Sequence, residues 1–231
     1  MPPPGDMGPD GEPTPWERRS ELGLVQGYWE TWKTVMFNPE KFWNRASPQG
    51  SLWDALSFAW IVVAINSLLS LPFQFLQSPA QFQRMLDQMN SRTNMTPEME
   101  RMMTWFFAGS GRFALLVGGL LLYPLGFVIG AAITHLMCLL LGMSRNGFTA
   151  TARAYGYASA PAVLTWVPCV GPIASFIYTL VLYVWGLARM QRASYGRSAV
   201  AVLGPIVLLF CCCCGLLALA ASSLAAAMGR H

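Results

Sequence analysis

The sequence predicts an all-α polytopic membrane protein, a bundle of five transmembrane helices with amphipathic interfacial helices. Of the 231 residues, 54% are hydrophobic and only 11% are charged, against roughly a quarter charged in an ordinary soluble domain. The last carboxylate in the chain belongs to Glu100, so residues 101–231 carry arginines but no acid. A membrane bundle accommodates this composition because lipid surrounds most of its surface and disfavours charge.

The first twenty residues form a Pro/Gly-rich tail with few side chains to bury. Six prolines fall within "MPPPGDMGPDGEPTP", and this composition predicts disorder for residues 1–20. The tail has no apolar signal-peptide core, so we expect it to stay on the side of the membrane where it is synthesised.

Residues 21–52 are predicted to form an amphipathic interfacial segment. Apolar side chains recur at helical spacing, opposite Gln26, Glu30 and Lys33. They are Leu22, Val25, Trp29, Trp32, Val35 and Met36. This pattern fits a helix at the membrane surface that Pro39 ends, or a helix packed against the protein itself.

Residues 53–229 contain apolar runs of the length that a membrane helix needs, about 20 residues to cross about 30 Å of hydrocarbon. "VPCVGP", Val167 to Pro172, divides one longer run into a hairpin. The second span exceeds the minimum, so it is expected to tilt or to bend near Pro124. The predicted spans are 53–76, 112–141, 149–167, 172–189 and 199–221.

The loop between the first two spans, residues 77–111, is predicted to be outside and helical. Ser78-Pro79 and Thr96-Pro97 each have the pattern of a helix cap followed by proline at the first helical position. Apolar positions follow both caps at helical spacing: Phe82, Met85, Leu86 and Met89, then Met99, Met102, Met103 and Phe106. Methionine-rich faces suit adaptable binding, and the alternative is a pair of surface helices on lipid or on the bundle.

The distribution of basic residues predicts the orientation, because arginine and lysine concentrate on the cytoplasmic side. A cytoplasmic N-terminus places ten basic residues inside and five outside, although three of those five lie in the outer loop and a fourth, Arg112, directly follows it. The inner set is Arg18, Arg19, Lys33, Lys41, Arg45, Arg145, Arg153, Arg189, Arg192 and Arg197; the outer set is Arg84, Arg92, Arg101, Arg112 and Arg230. Arginine outnumbers lysine 13 to 2, and with the richness in alanine, glycine and proline this favours GC-rich coding and a bacterial source. In a bacterium the expected location is the inner (cytoplasmic) membrane.

Small residues in the third span predict close helix packing. Ala150, Ala154, Ala158 and Ala162 step by four along one ridge beside Gly156, and Gly126-x-x-x-Gly130 in the second span offers a groove. Small residues let membrane helices approach closely. Pro161 is expected to bend the third span and to free carbonyls that neighbours must satisfy.

A polar cluster is predicted in the inner leaflet. At about 1.5 Å per residue, His135 lies about 9 Å from the inner end of its span, Arg153 about 6 Å and Tyr155 about 9 Å, and Tyr183 falls at a similar level. Ionisable groups within membrane spans are candidate functional sites. The cluster could hold a lipid headgroup or another ligand, or it could be a hydrogen-bonded staple between helices. Asn66, in the first span, is expected to bond a neighbouring helix.

The sequence offers little material for catalysis, a cofactor or a metal. Acid–base and nucleophilic sites need paired carboxylates or a base beside a nucleophile, and His135 has no acid from the last four spans. Of Cys211–Cys214, only the first and last share a helix face, so we interpret the run as apolar packing, with metal or redox chemistry and lipidation as alternatives. Cys169, in the outer turn, is the most reachable thiol. No dense basic patch indicates nucleic-acid binding.

The third span contains Gly156-Tyr157-x-x-x-Pro161, which resembles the Gly-Tyr-x-x-x-Pro signature of the Yip-domain family of Ypt/Rab-interacting membrane proteins. "NPEKFW" before the first span and "LWDALSFA" at its start follow the order of features in bacterial members, and the resemblance covers residues 24–215. In eukaryotes it implies Golgi and endoplasmic-reticulum membranes, vesicle traffic and Rab-type GTPase partners. This chain lacks the Asp-Leu-x-Gly-Pro motif of those relatives, and its nearest match, at Asp54, has no Gly-Pro; this argues against a Rab-type GTPase as partner.

We therefore expect a structural or adaptor protein of the membrane, acting in membrane organisation or trafficking-like processes without catalysis. Its expected partners are the lipid bilayer and other membrane proteins or copies of itself. The alternative is a small transporter, or a lipid- or solute-binding protein that acts as an oligomer.

Overall fold

The computed structural model describes residues 11–76, 84, 86–89, 96–108, 111–167 and 169–228. Their regular secondary structure is helical, apart from an isolated parallel bridge between Glu12 and Ala46. The elements are α1 Arg19–Leu22, α2 Leu24–Phe37, α3 Pro39–Arg45, α4 Leu52–Leu76, α5 Pro97–Ala108, α6 Gly111–Leu140, α7 Gly147–Ala158, a 3₁₀ segment Ala160–Trp166, α8 Val170–Met190 and α9 Tyr195–Met228.

Four of these helices are long and apolar enough to cross a membrane. Within the described residues the qualifying stretches are Leu52–Pro72, Phe113–Leu140, Val170–Met190 and Tyr195–Gly215. They correspond to the first, second, fourth and fifth predicted spans. The third prediction, 149–167, falls instead on the 12-residue α7 and the 7-residue 3₁₀ segment that follows it.

The interruption after α7 has a local cause. Pro161 has no amide hydrogen and its ring clashes with the preceding turn, which disfavours a continuing α-helix, although Pro72, Pro124 and Pro205 lie inside α-helices of this chain. The chain passes Ser159 and resumes as a tighter 3₁₀ turn. Two of the carbonyls at the break find donors: Ser159 Oγ donates to Gly156 O at 2.6 Å, and the Trp32 indole donates to Ala160 O at 3.1 Å. At the place where the sequence predicts a bend, the structure therefore has a change from α-helix to 3₁₀-helix.

α7 occupies the centre of the bundle, in contact with α4, α6 and α8. Its residues from Ala150 to Ala158 are buried except Tyr155. The close approach to α4 depends on Gly156, where a Cβ would lie 2.7 Å from the Ala55 carbonyl oxygen. The lack of a side chain at Gly156 therefore lets α7 pack closely against the first span.

The predicted groove on α6 is used only in part. A Cβ at Gly130 would lie 2.9 Å from the Tyr155 hydroxyl, whereas a Cβ at Gly126 would meet no described atom within 4 Å. The surface of α6 around Gly126 is apolar and exposed, as at Leu121 and Leu125. In a membrane this surface faces lipid or another protein.

Residues 11–47, with α1 to α3, form what we call the N-terminal cap. Trp43 of α3 is fully buried over Gly186 of α8, where a Cβ would lie 2.6 Å from the indole ring. α2 buries Val35 and Met36 and exposes Val25 and Trp29. The cap therefore packs against the bundle and also presents an apolar face outward.

The outer loop is described in part. α5 begins at Pro97, and Thr96 Oγ1 accepts a hydrogen bond from Met99 N at 3.4 Å, so the predicted second cap is confirmed. Met99 and Met102 are exposed. Ser78, Pro79, Phe82 and Met85 of the first predicted loop helix lie outside the described residues.

Candidate functional site

Arg153 occupies the centre of a buried polar site between α7 and the N-terminal cap. Its side chain is 0% exposed, and its Nη2 lies 2.6 Å from Glu17 Oε1. Its Nε donates to the Ser47 carbonyl at 3.1 Å, and the guanidinium carbon lies 5.7 Å from the centre of the Tyr157 ring. The remaining nitrogen, Nη1, lies against Gly50, where any side chain would collide with it, and has no acceptor among the described residues.

Glu17 is the counter-ion because a capping box holds it in place. Thr14 N donates to Glu17 Oε2 at 3.0 Å, and Glu17 N approaches Thr14 Oγ1 at 3.4 Å, the reciprocal pattern of a Ser/Thr-x-x-Glu box. The Tyr157 hydroxyl donates to Glu17 Oε1 at 2.8 Å and lies 3.1 Å from Thr14 Oγ1. Glu17 thus contacts two buried groups of α7 through one carboxylate oxygen, as the counter-charge of Arg153 and the acceptor of Tyr157.

A second polar contact joins the cap to the start of α4. Arg19 Nη1 lies 2.6 Å from Asp54 Oδ1, and the Trp16 indole donates to the Asp54 carbonyl at 2.9 Å. Trp16 packs edge-on against Tyr28, with ring centres 6.2 Å apart, and burial raises the pKa of the Tyr28 hydroxyl to about 12. These contacts join the cap to α4 directly beside Glu17.

The other side of α7 carries a separate polar network. His135 Nδ1 lies 3.0 Å from Thr151 Oγ1, which also accepts a hydrogen bond from Gln191 Nε2 at 2.9 Å. The Tyr155 and Tyr183 rings pack 5.3 Å apart. These side chains join α7 to α6 and α8 rather than to the cap.

The four residues predicted as one inner-leaflet cluster therefore lie on two sides of α7. Tyr155 and Tyr183 are in contact, and His135 meets the same side of the helix through Thr151. Arg153 faces the cap, because successive residues on a helix point about 100° apart. The predicted packing residues Ala154 and Ala158 are buried, and Asn66 accepts a hydrogen bond from Thr165 Oγ1 at 2.7 Å, as expected for a bond to a neighbouring segment.

Sequence reasoning missed Glu17 and Thr14 as site residues. The signal was present as Thr14-Pro15-x-Glu17, a cap pattern with proline at the first helical position, but it lay inside the segment whose composition predicts disorder. Gln191, fully buried between the ends of α7 and α8, had no such signal.

The cysteines form no cluster with other ligands in the described residues. Within those residues, no group of three His, Cys, Asp or Glu side chains converges on one point. Cys211 to Cys214 are helical and exposed on α9, and Cys169 is exposed at the turn before α8.

The Arg153 site therefore has the arrangement of an ion-paired anchor between two parts of one chain, the N-terminal cap and α7.

A comparison with protein families identifies the family of this chain. A family model described as the Yip1 domain matches residues 33–218. The chain belongs to the Yip1 domain family. It is thus an integral multi-pass membrane protein of a family not known as enzymes. Comparisons with curated proteins and with solved structures give no match.

Each residue of the Gly156-Tyr157-x-x-x-Pro161 stretch has a distinct place in this Yip1 domain. Gly156 lets α7 approach the Ala55 backbone, and Tyr157 donates a hydrogen bond to Glu17 of the cap. Pro161 lies in the 3₁₀ segment that follows the end of the α-helix. Trp43, the last residue of "NPEKFW", is buried over Gly186. The resemblance stretches therefore surround the junction between the cap and the bundle.

Proposed function

We propose that this Yip1 domain protein is a structural or adaptor component of its membrane, and that the N-terminal cap presents the binding surface. The observation that carries the proposal is the Glu17–Arg153 ion pair, at 2.6 Å, which joins a segment outside the long apolar helices to the centre of the bundle. The guanidinium of Arg153 is the most deeply buried charge in the described residues, and it holds the cap in place. In an enzyme or a carrier, such a charge would instead contact the substrate.

The cap offers a surface suited to a polar partner. A cleft of about 280 Å³ opens between the first described residues, α2 and α3. Its rim mixes charges of both signs: Glu12, Arg18, Glu30, Lys41 and Arg45. Mixed charges at a rim favour specificity and orientation of a partner over bulk affinity.

We further propose that α7 and the 3₁₀ segment together form the third of five spans, with the N-terminus inside. Twelve α-helical residues rise about 18 Å, and seven 3₁₀ residues rise about 14 Å. Together they match the thickness of about 30 Å of a hydrocarbon core. The ten-to-five bias of basic residues supports this orientation, and in a bacterium the location would be the inner membrane.

Site-specific photo-cross-linking in native membranes tests the adaptor proposal. A cross-linker at Lys41 should capture a discrete partner, and charge reversal at Arg18 or Glu30 should weaken that capture while membrane insertion is unchanged. A cross-linker at Met102 of α5, exposed outside the cap, is the matched control. Equal capture at both positions, or capture that ignores the charge reversals, would count against the cap as the binding surface.

A transporter is the second candidate, and the interrupted α7–3₁₀ segment favours it. Discontinuous membrane helices place unpaired backbone groups at the binding sites of secondary transporters. Proteoliposome uptake against a panel of solutes separates the two proposals. A specific flux that is lost in His135→Ala but retained in the exposed control Arg101→Gln would support transport and displace the adaptor proposal.

A further inference from the structure

At one end of the bundle, three arginines line a pocket with no acid in it. Arg145, in the loop between α6 and α7, meets Arg192 and Arg197, at the turn into α9, around a cavity of about 280 Å³. The rest of the lining is Gly142, Met143, Ala193 and Ser194. In the part of the chain that the structure describes, none of the three arginines forms an ion pair.

The two loops that carry these arginines are fixed to each other. Asn146 N donates to Gln191 Oε1 at 2.9 Å, and Asn146 Nδ2 donates to the Met190 carbonyl at 2.6 Å. Gln191 Nε2 returns a bond to the Gly147 carbonyl at 2.8 Å. The two loops that carry the three positive charges are therefore fixed side by side, although the mutual repulsion of the charges opposes this arrangement.

Arg192 occupies a backbone position that ordinarily belongs to glycine. α6 and α8 end in the same Schellman pattern: Met143 N bonds to Cys138 O after α6, and Ala193 N bonds to Ala188 O after α8. The left-handed residue of the first is Gly142, at φ 62°, and that of the second is Arg192, at φ 51°. A side chain in this conformation is disfavoured, so an arginine at this position lowers the stability of the fold relative to a glycine.

An apolar groove begins beside this pocket. Leu180, Val184 and Leu203 line a groove of about 590 Å³ between α8 and α9, and Tyr195 is also part of its lining. Tyr195 directly follows Ser194 of the basic pocket. The pocket lies at the ends of the candidate spans Phe113–Leu140, Val170–Met190 and Tyr195–Gly215, which is the depth of lipid headgroups.

We infer that this pocket binds the phosphate of an anionic membrane lipid, with an acyl chain in the groove of α8 and α9. Basic pockets between membrane helices recognise anionic headgroups in this way. Guanidinium groups match phosphate oxygens through paired hydrogen bonds. The inference goes beyond the adaptor proposal and does not depend on it, because it requires only that the helices lie in a membrane.

Native mass spectrometry of the detergent-purified full chain tests the inference with phosphatidylglycerol and phosphatidylcholine as probes. The wild type should bind phosphatidylglycerol at least tenfold more tightly than phosphatidylcholine. Arg145→Gln and Arg197→Gln should each weaken phosphatidylglycerol binding about fivefold. Arg101→Gln on α5 removes the same charge elsewhere and should leave the affinity unchanged.

Arg192→Gly is the decisive variant, because it removes the charged side chain and glycine readily adopts the left-handed backbone conformation at this position. Phosphatidylglycerol affinity should fall about fivefold while the thermal unfolding midpoint stays equal or rises, which a merely structural arginine would not do. Unchanged affinity in the Arg145→Gln/Arg192→Gly/Arg197→Gln triple variant would overturn the site. Inorganic phosphate that binds as tightly as the lipid would overturn the lipid assignment and leave a free-phosphate site.

Discussion

Glu17 and Arg153 form a buried ion pair that connects the N-terminal cap to the central helix of a Yip1 domain. The two side chains meet at 2.6 Å, and Arg153 is fully enclosed while Glu17 is 10% exposed. A buried charge that loses its partner costs far more than an exposed one, because water cannot replace the partner. The cap therefore depends on a carboxylate from a segment whose composition resembles a disordered tail.

The first prediction concerns that pair. Glu17→Gln keeps an acceptor for Thr14 N but leaves Arg153 without a counter-charge, and it should lower the free energy of unfolding by about 3 kcal/mol. Thermal unfolding in detergent measures the loss, and limited proteolysis should show the segment before α2 cut earlier. Glu21→Gln, an exposed acid in α1, is the matched control and should change stability by less than about 0.5 kcal/mol.

A double variant separates the ion pair from the rest of the contact. Arg153→Met removes the buried charge, so the loss in Glu17→Gln/Arg153→Met should be smaller than the sum of the two single losses. Strict additivity would mean that the two residues contribute independently and that the pair does not hold the cap.

The second prediction compares two glycines of neighbouring helices. Gly156→Ala introduces a methyl group 2.7 Å from the Ala55 carbonyl oxygen, whereas Gly126→Ala meets no described atom within 4 Å. The first should destabilise the bundle by about 1–3 kcal/mol through overpacking, and the second should be neutral or slightly stabilising because alanine favours helix. Unfolding of both variants in the same detergent measures the difference, and equal effects would mean that α4 and α7 are not in close contact.

The sequence predicted most of the long apolar helices because their signal is local. The predicted 112–141 and 172–189 lie within two residues of Gly111–Leu140 and Val170–Met190. The Thr96-Pro97 cap was also predictable, since the capping side chain and the helix it starts are adjacent. Length and hydropathy suffice where lipid sets the requirement.

The polar site was less predictable because its partners are distant in the chain. Counting depth placed Arg153 and His135 at similar levels, but depth along a helix says nothing about direction around it. Arg153 turns towards Glu17 and His135 meets Thr151, on different sides of α7. The 3₁₀ segment likewise depends on Trp32 donating to Ala160 O from another helix, which Pro161 alone does not reveal.

The third prediction tests the orientation through Cys169. In the five-span arrangement with the N-terminus inside, this exposed thiol lies on the outer side. A membrane-impermeant maleimide added to intact cells should label the protein, and Cys169→Ser should abolish that labelling. Labelling that needs permeabilised cells would place the turn before α8 inside and reverse the topology.

The fourth prediction compares two tryptophans that flank the start of α4. Trp43 is 0% exposed over Gly186, whereas Trp53 is 72% exposed. Trp43→Ala should lower the free energy of unfolding by about 3–5 kcal/mol, because it leaves a cavity between α3 and α8. Trp53→Ala removes the same side chain from an exposed position and should lower it by less than about 1 kcal/mol.

Limited proteolysis shows whether the loss of stability in Trp43→Ala is confined to the cap. If α3 packs on α8 as in the structure, Trp43→Ala should make the cap sensitive to protease, because local opening precedes global unfolding. The protease concentration that cleaves this variant should leave the wild type and Trp53→Ala intact. Equal protection of all three proteins would show that the contact between Trp43 and Gly186 does not hold the cap. The joint exposure of the cap in Trp43→Ala and in Glu17→Gln would instead identify two anchors of one unit, one apolar on α8 and one ionic on α7.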